Sequence, residues 1–218
     1  MKSFRISRNT SVLIIIIALI ISLLTNVYTS VMNSRYKIII GRETYENIEE
    51  IRRRNESSLT TLVQCIKAKS INNEELLSLY KNYSTISKEF NNLWLSYKAY
   101  GSEDIISINK KSKITDDVPT QVYSRIENLL YEYLNYEMRT NNDKFSLTGN
   151  RLQNFYELYN ITNDLNNFYI DFNETNLSDI DVEDRELTYI KNVYWIDILK
   201  GINNIIEDHS DYEFIFKE

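Results

Sequence analysis

The sequence predicts an all-α, membrane-anchored protein: an N-terminal transmembrane helix followed by an antiparallel helical bundle of four to five helices with heptad-like spacing. Three observations predict it. An apolar run opens at Val12, apolar residues beyond it return in alternating steps of three and four, and four Gly and one Pro in 218 residues are too few turn formers for a many-stranded β fold. With 43% hydrophobic against 26% charged residues the chain is too apolar to stay disordered, and its length suits one domain with a core.

Residues 1–11 read as a short basic tail, 12–32 as the transmembrane anchor and 33–218 as the helical bundle. Lys2, Arg5 and Arg8 precede the unbroken apolar stretch Val12 to Ile21, which Leu23, Leu24, Val27, Tyr28, Val31 and Met32 extend. At about 1.5 Å per residue, Val12 to Met32 covers a hydrocarbon core of about 30 Å. The pairs of residues around Thr25 to Ser30 are not the small pairs that signal peptidase needs, so retention as an anchor is expected. Cations before the span favour an inside N-terminus and an extracytoplasmic body; Arg35, Lys37 and Arg42 beyond it pull the other way.

Charge divides along the chain. Residues 1 to 70 hold 11 Lys or Arg against 5 Asp or Glu, whereas residues 71 to 218 hold 14 against 26. Cations beside the span suit anionic lipid headgroups, and an acidic body argues against nucleic acid as a partner.

Five body helices are expected, over about 43–69, 73–100, 119–140, 150–172 and 182–207, and Tyr36 to Ile40 would allow the first to run on from the membrane helix. The second has the clearest pattern. Leu76, Leu79, Tyr83, Ile86, Phe90, Leu93, Tyr97 and Tyr100 form a heptad seam, Asn72 with Glu75 makes a capping box, and Gly101 falls at a C′ position. Such a seam serves either the chain's own core or a partner helix, and Lys81, Lys88 and Glu89 fall outside it. Pro119 suits the first turn of the third helix, with stripe Val122, Ile126, Leu129, Tyr133 and Tyr136. The fourth carries Phe155, Leu158, Thr162, Leu165, Tyr169 and Phe172; the fifth carries Leu187, Ile190, Tyr194, Ile198, Ile202 and Ile205, with Gly201 marking a bend or a close helix contact. Residues 102 to 118 read as a loop or short strand, with Tyr212 to Phe216 as its partner.

The side-chain inventory assigns no catalytic, cofactor-binding or metal residues. Gly41, Gly101, Gly149 and Gly201 stand too far apart to cradle phosphate. His209, the single histidine, is expected to cap a helix end or to lie exposed, and Cys65, the single cysteine, to be buried. The acidic stretch from Asp171 to Glu186 places Asp181 and Glu183 in an EF-hand register beginning at Asp179. Asp184 then stands where that loop needs glycine and Ile190 where it needs glutamate, so the stretch is expected to support the next helix start. Arg52, Arg53 and Arg54 read as a solvated or headgroup-facing patch, and the many tyrosines as packing residues with hydroxyls at the rim.

These readings converge on a single-pass protein of the cell membrane that presents a non-enzymatic bundle outside the membrane. Its expected partners are lipid, through the N-terminal helix, and protein in a cell-envelope assembly, or itself, through the body helices. The alternative is a ligand-sensing helical ectodomain that signals through a partner chain, with tyrosines lining a pocket.

Overall fold

A computed structural model describes residues 8–101, 118–140 and 144–216. The described chain is mostly helical: α1 (Arg8–Ala68), α2 (Asn73–Ser96), α3 (Val118–Thr140), α4 (Asn150–Leu177), α5 (Arg185–Asn192) and α6 (Tyr194–Asp208). Two short strands, β1 (Ser70–Asn72) and β2 (Lys144–Ser146), pair antiparallel with Ile71 opposite Phe145. The pairing predicted between 102–118 and 212–216 falls largely outside the described residues, and Tyr212 to Phe216 has no regular secondary structure.

The chain divides into two units, Met1–Ile40 and Gly41–Glu218. In the first, α1 is long and apolar enough to cross a membrane. Its large apolar side chains from Val12 to Val31 are between 47% and 66% exposed, so nothing among the described residues covers them.

In the second unit, α1 buries Gly41, Thr44, Ile48, Ile51, Asn55, Ser58, Leu62 and Cys65 in alternating steps of three and four. Three of those eight are polar, which hides the seam from an apolar count. Asn55 justifies its burial by donating from Nδ2 to the Thr162 carbonyl at 2.8 Å.

The capping box of α2 is present: Asn72 Oδ1 accepts from the Glu75 amide at 2.8 Å and Glu75 Oε2 from the Asn72 amide at 3.0 Å. Its seam is buried from Leu76 to Leu93 and belongs to the chain's own core. The last two seam positions differ. A π-helical turn, Tyr97–Gly101, widens the backbone, leaving Tyr97 half-buried and Tyr100 exposed. Glu89, placed outside the seam by its charge, is buried and accepts from Lys88 Nζ at 3.0 Å and Asn92 Nδ2 at 2.8 Å.

The predicted helix 182–207 is a 3-10 turn, Val182–Asp184, followed by two helices. Val193 breaks it in the left-handed conformation, φ 55°, and its amide donates back to α5. Leu187, on α5, is exposed, and beyond the break the helical phase is reset, so Ile206 is fully buried where the stripe predicts Ile205. Gly201 marks a close contact, not a bend: a Cβ there would stand 2.1 Å from Phe168 Cζ on α4. Gly41 plays the same part for α1 and α5, with a Cβ 2.7 Å from Ile190 Cγ2.

Candidate functional site

Three polar assemblies stand out from the core. The first lies on α1, where the arginines read as a solvated or headgroup-facing patch are paired with carboxylates. Arg52 reaches Glu49 at 2.8 Å and Glu56 at 2.6 Å, Arg54 reaches Glu50 at 2.7 Å, and Arg53 pairs with Glu50, all at spacings of three or four. Each guanidinium is matched to a carboxylate one helical turn away. Arg54 also donates to Asn82 Oδ1 at 3.3 Å, tying α1 to α2.

The second is a cavity of about 220 Å³ lined by Tyr45, Glu49, Arg52, Asn173, Arg185 and Tyr189, with Leu177 and Val182. Tyr45 and Tyr189 meet edge to face at 5.1 Å, and Tyr189 continues through Phe172 and Tyr194 into an aromatic cluster. Burial, then the Glu49 carboxylate, pushes the Tyr189 hydroxyl well above the ordinary phenol range; Tyr45 is raised for the same two reasons. Both phenols therefore stay protonated at neutral pH. Tyr45 and Tyr189 both line this cavity, and Glu49 spends its charge on Arg52.

The third is the C-terminal segment. Arg125 on α3 donates from Nη2 to the Ser210 carbonyl at 2.8 Å and from Nη1 to that of Tyr212 at 3.1 Å. Asn154 on α4 donates to the Ile215 carbonyl at 3.0 Å and to the Tyr133 hydroxyl at 2.7 Å, and accepts from the Tyr212 hydroxyl at 3.0 Å. Phe216 lies against Tyr133 at 5.5 Å and Tyr136 at 6.4 Å.

His209 stands at the head of this segment. Its imidazole does not cap α6 and is not free: Nδ1 lies 2.7 Å from Glu157 Oε1 and Nε2 lies 3.1 Å from Asp164 Oδ2, both on α4. Sequence reading missed the pair because the partners are 52 and 45 residues away. The signal was present: Glu157 and Asp164 are seven apart, two turns along one helix face.

The remaining candidates are structural. Cys65 is 1% exposed and free, with Sγ donating to the Thr61 carbonyl at 2.8 Å; burial pushes the thiol up to about 12. Asp181 precedes the 3-10 turn that leads into α5, and Asp179, Asp181 and Asp184 share a surface crevice with Lys191. Among the described residues, no cluster of three His, Cys, Asp or Glu is arranged to hold a metal ion.

No protein family, curated protein or solved structure matches the chain.

Proposed function

We propose that the protein is a single-pass membrane protein in which residues 12–32 cross the bilayer, with the N-terminus inside and the body outside as a non-enzymatic interaction module of a cell-envelope assembly. The observation that carries this reading is the uncovered apolar surface of α1 from Val12 to Val31, set beside a second unit whose own stripes are buried. That contrast is what a bilayer-solvated helix and a water-solvated body require. Lys2, Arg5 and Arg8 supply the inside vote. The body is read as an antiparallel bundle: α2 packs on α3, both pack on α6, and α4 packs on α6 through the Gly201 notch. Its heptad seam is spent on the core, so a partner is met by exposed residues such as Leu77, Tyr131 and Leu187.

Two measurements on full-length protein in its own membranes test this reading. Alkaline carbonate washing should leave the chain in the membrane pellet, and photo-cross-linkers at Leu77, Tyr131 or Leu187 should give a discrete adduct that the buried control Leu79 does not. A chain released by carbonate contradicts the anchor; no adduct from any of the three contradicts the interaction module.

The polar cavity beside Tyr45, Arg52 and Tyr189 favours a second reading, a ligand-sensing body that signals through a partner chain. Asn173→Trp would fill that cavity. Loss of function with cross-linking intact would favour sensing over scaffolding.

A further inference from the structure

His209 makes a bond arrangement that a neutral imidazole cannot complete. A neutral ring carries one N–H and one lone pair, whereas here both nitrogens face carboxylate oxygens, at 2.7 Å and 3.1 Å. Two donors are needed, so the arrangement holds one more proton than a neutral ring between two carboxylates. We propose that protonated His209 is a latch that clamps the C-terminal segment onto α4, and that loss of this proton releases the segment.

The release follows from the geometry. The Glu157 contact is the shorter and the more enclosed, with the imidazole 15% and Glu157 14% exposed, whereas Asp164 is 49% exposed. On deprotonation the remaining N–H stays on Nδ1 toward Glu157, and the lone pair at Nε2 then faces the Asp164 oxygen. One bond becomes a repulsion. Among the described residues no Lys or Arg pairs with Glu157 or Asp164 to replace the lost charge: Arg125 on α3 spends its Nη donors on the carbonyls of Ser210 and Tyr212, and the histidine's own segment adds Glu207, Asp208, Asp211 and Glu213. Tyr212, the other titratable group of the clamp, has its hydroxyl raised by burial and by Glu157, so it stays a donor to Asn154 while the histidine changes. The proton on His209 is therefore the variable element of the clamp.

The segment that would move supplies Phe214 and Phe216 to the wall of a groove of about 230 Å³ that they form with Arg125, Leu129 and Glu132. Release dismantles that wall and bares the Tyr133 and Tyr136 rings against which Phe216 lies.

The single histidine makes the test clean. Full-length protein in lipid nanodiscs, carrying Cys65→Ala and a nitroxide on Glu213→Cys, would be compared at pH 6 and pH 9. The ratio of mobile to immobile spin label should rise about tenfold at pH 9, the worth of one charge-assisted hydrogen bond. His209→Gln and Asp164→Ala should each give the mobile spectrum at pH 6 with little further change at pH 9. Long-range ¹H–¹⁵N spectra should show both imidazole nitrogens protonated at pH 6. Identical spin-label spectra at the two pH values, a pH response that survives in His209→Gln, or a singly protonated imidazole at pH 6 would each overturn the latch.

Discussion

Phe168 lies across Gly201 so closely that a Cβ on the glycine would stand 2.1 Å from Cζ and 2.3 Å from Cε2 of the ring. The α4 and α6 backbones approach each other because one residue has no side chain and the other fills the notch. Helix propensity alone would favour Ala at position 201 by about 1 kcal/mol. Overpacking costs about 1 to 3 kcal/mol and decides the sign, so Gly201→Ala should lower the melting temperature. Adding Phe168→Leu should recover part of the loss; equal stability of Gly201→Ala and wild type would contradict this crossing.

Phe90 is 2% exposed at the middle of the α2 seam and meets Tyr123 of α3 at 5.8 Å. Phe90→Ala should cost about 3 to 5 kcal/mol in chemical unfolding of the monomer. Lys88 is 72% exposed, so Lys88→Ala should cost less than about 1 kcal/mol despite its contact with Glu89. A Phe90→Ala monomer of unchanged stability would move the seam from core to interface.

The α2 helix was legible because its information is local. Asn72 and Glu75 fix its start, and an apolar residue occupies every seam position from Leu76 to Leu93, with Asn82 and Glu89 buried beside the seam. The α1 seam was not legible, since the polar residues Thr44, Asn55 and Ser58 take inward positions, and Asn55 finds its partner, the Thr162 carbonyl, far away in sequence. The Val193 break was invisible because a β-branched residue is the least expected in a left-handed turn. Strands of three residues are too short to show a period of two, and the clamp around His209 depends on α4 and α6 being brought together.

Val193 gives a prediction of its own. Holding an L-residue with a Cβ in the left-handed region costs about 1 to 2 kcal/mol, and the side chain is only half-buried. Val193→Gly should therefore raise stability by about 0.5 to 1 kcal/mol, read as a higher midpoint in denaturant. A lower midpoint would show that the packing of the valine outweighs the strain.

Tyr123 and Tyr169 bury hydroxyls that have no hydrogen-bond partner among the described residues. Removing such a group relieves a desolvation cost, so Tyr123→Phe should be neutral or stabilising by about 1 kcal/mol. A loss above that size would reveal a bond to the hydroxyl.

Burial raises the titration of Cys65, Tyr83, Tyr123, Tyr169 and Tyr189 in the folded chain. The sign is fixed: the unfolded chain releases these protons first, so the contribution of these groups to stability is constant below the ordinary thiol range and falls as pH rises beyond it toward the raised folded values. Melting temperature should decline above about pH 9. In the native state at pH 8 a thiol reagent should leave Cys65 unmodified, reacting with one equivalent only after denaturation. Rapid native labelling would contradict its burial.

If α1 crosses the bilayer and leaves the body outside, as proposed, labelling of cysteines in intact cells reports both the crossing and its direction. In a Cys65→Ala background, Lys81→Cys on the exposed face of α2 should react with a membrane-impermeant maleimide in intact cells, and Ser3→Cys in the N-terminal tail only after lysis. Labelling of Ser3→Cys with protection of Lys81→Cys would reverse the orientation, and recovery of the Lys81→Cys protein in the soluble fraction would contradict the anchor itself.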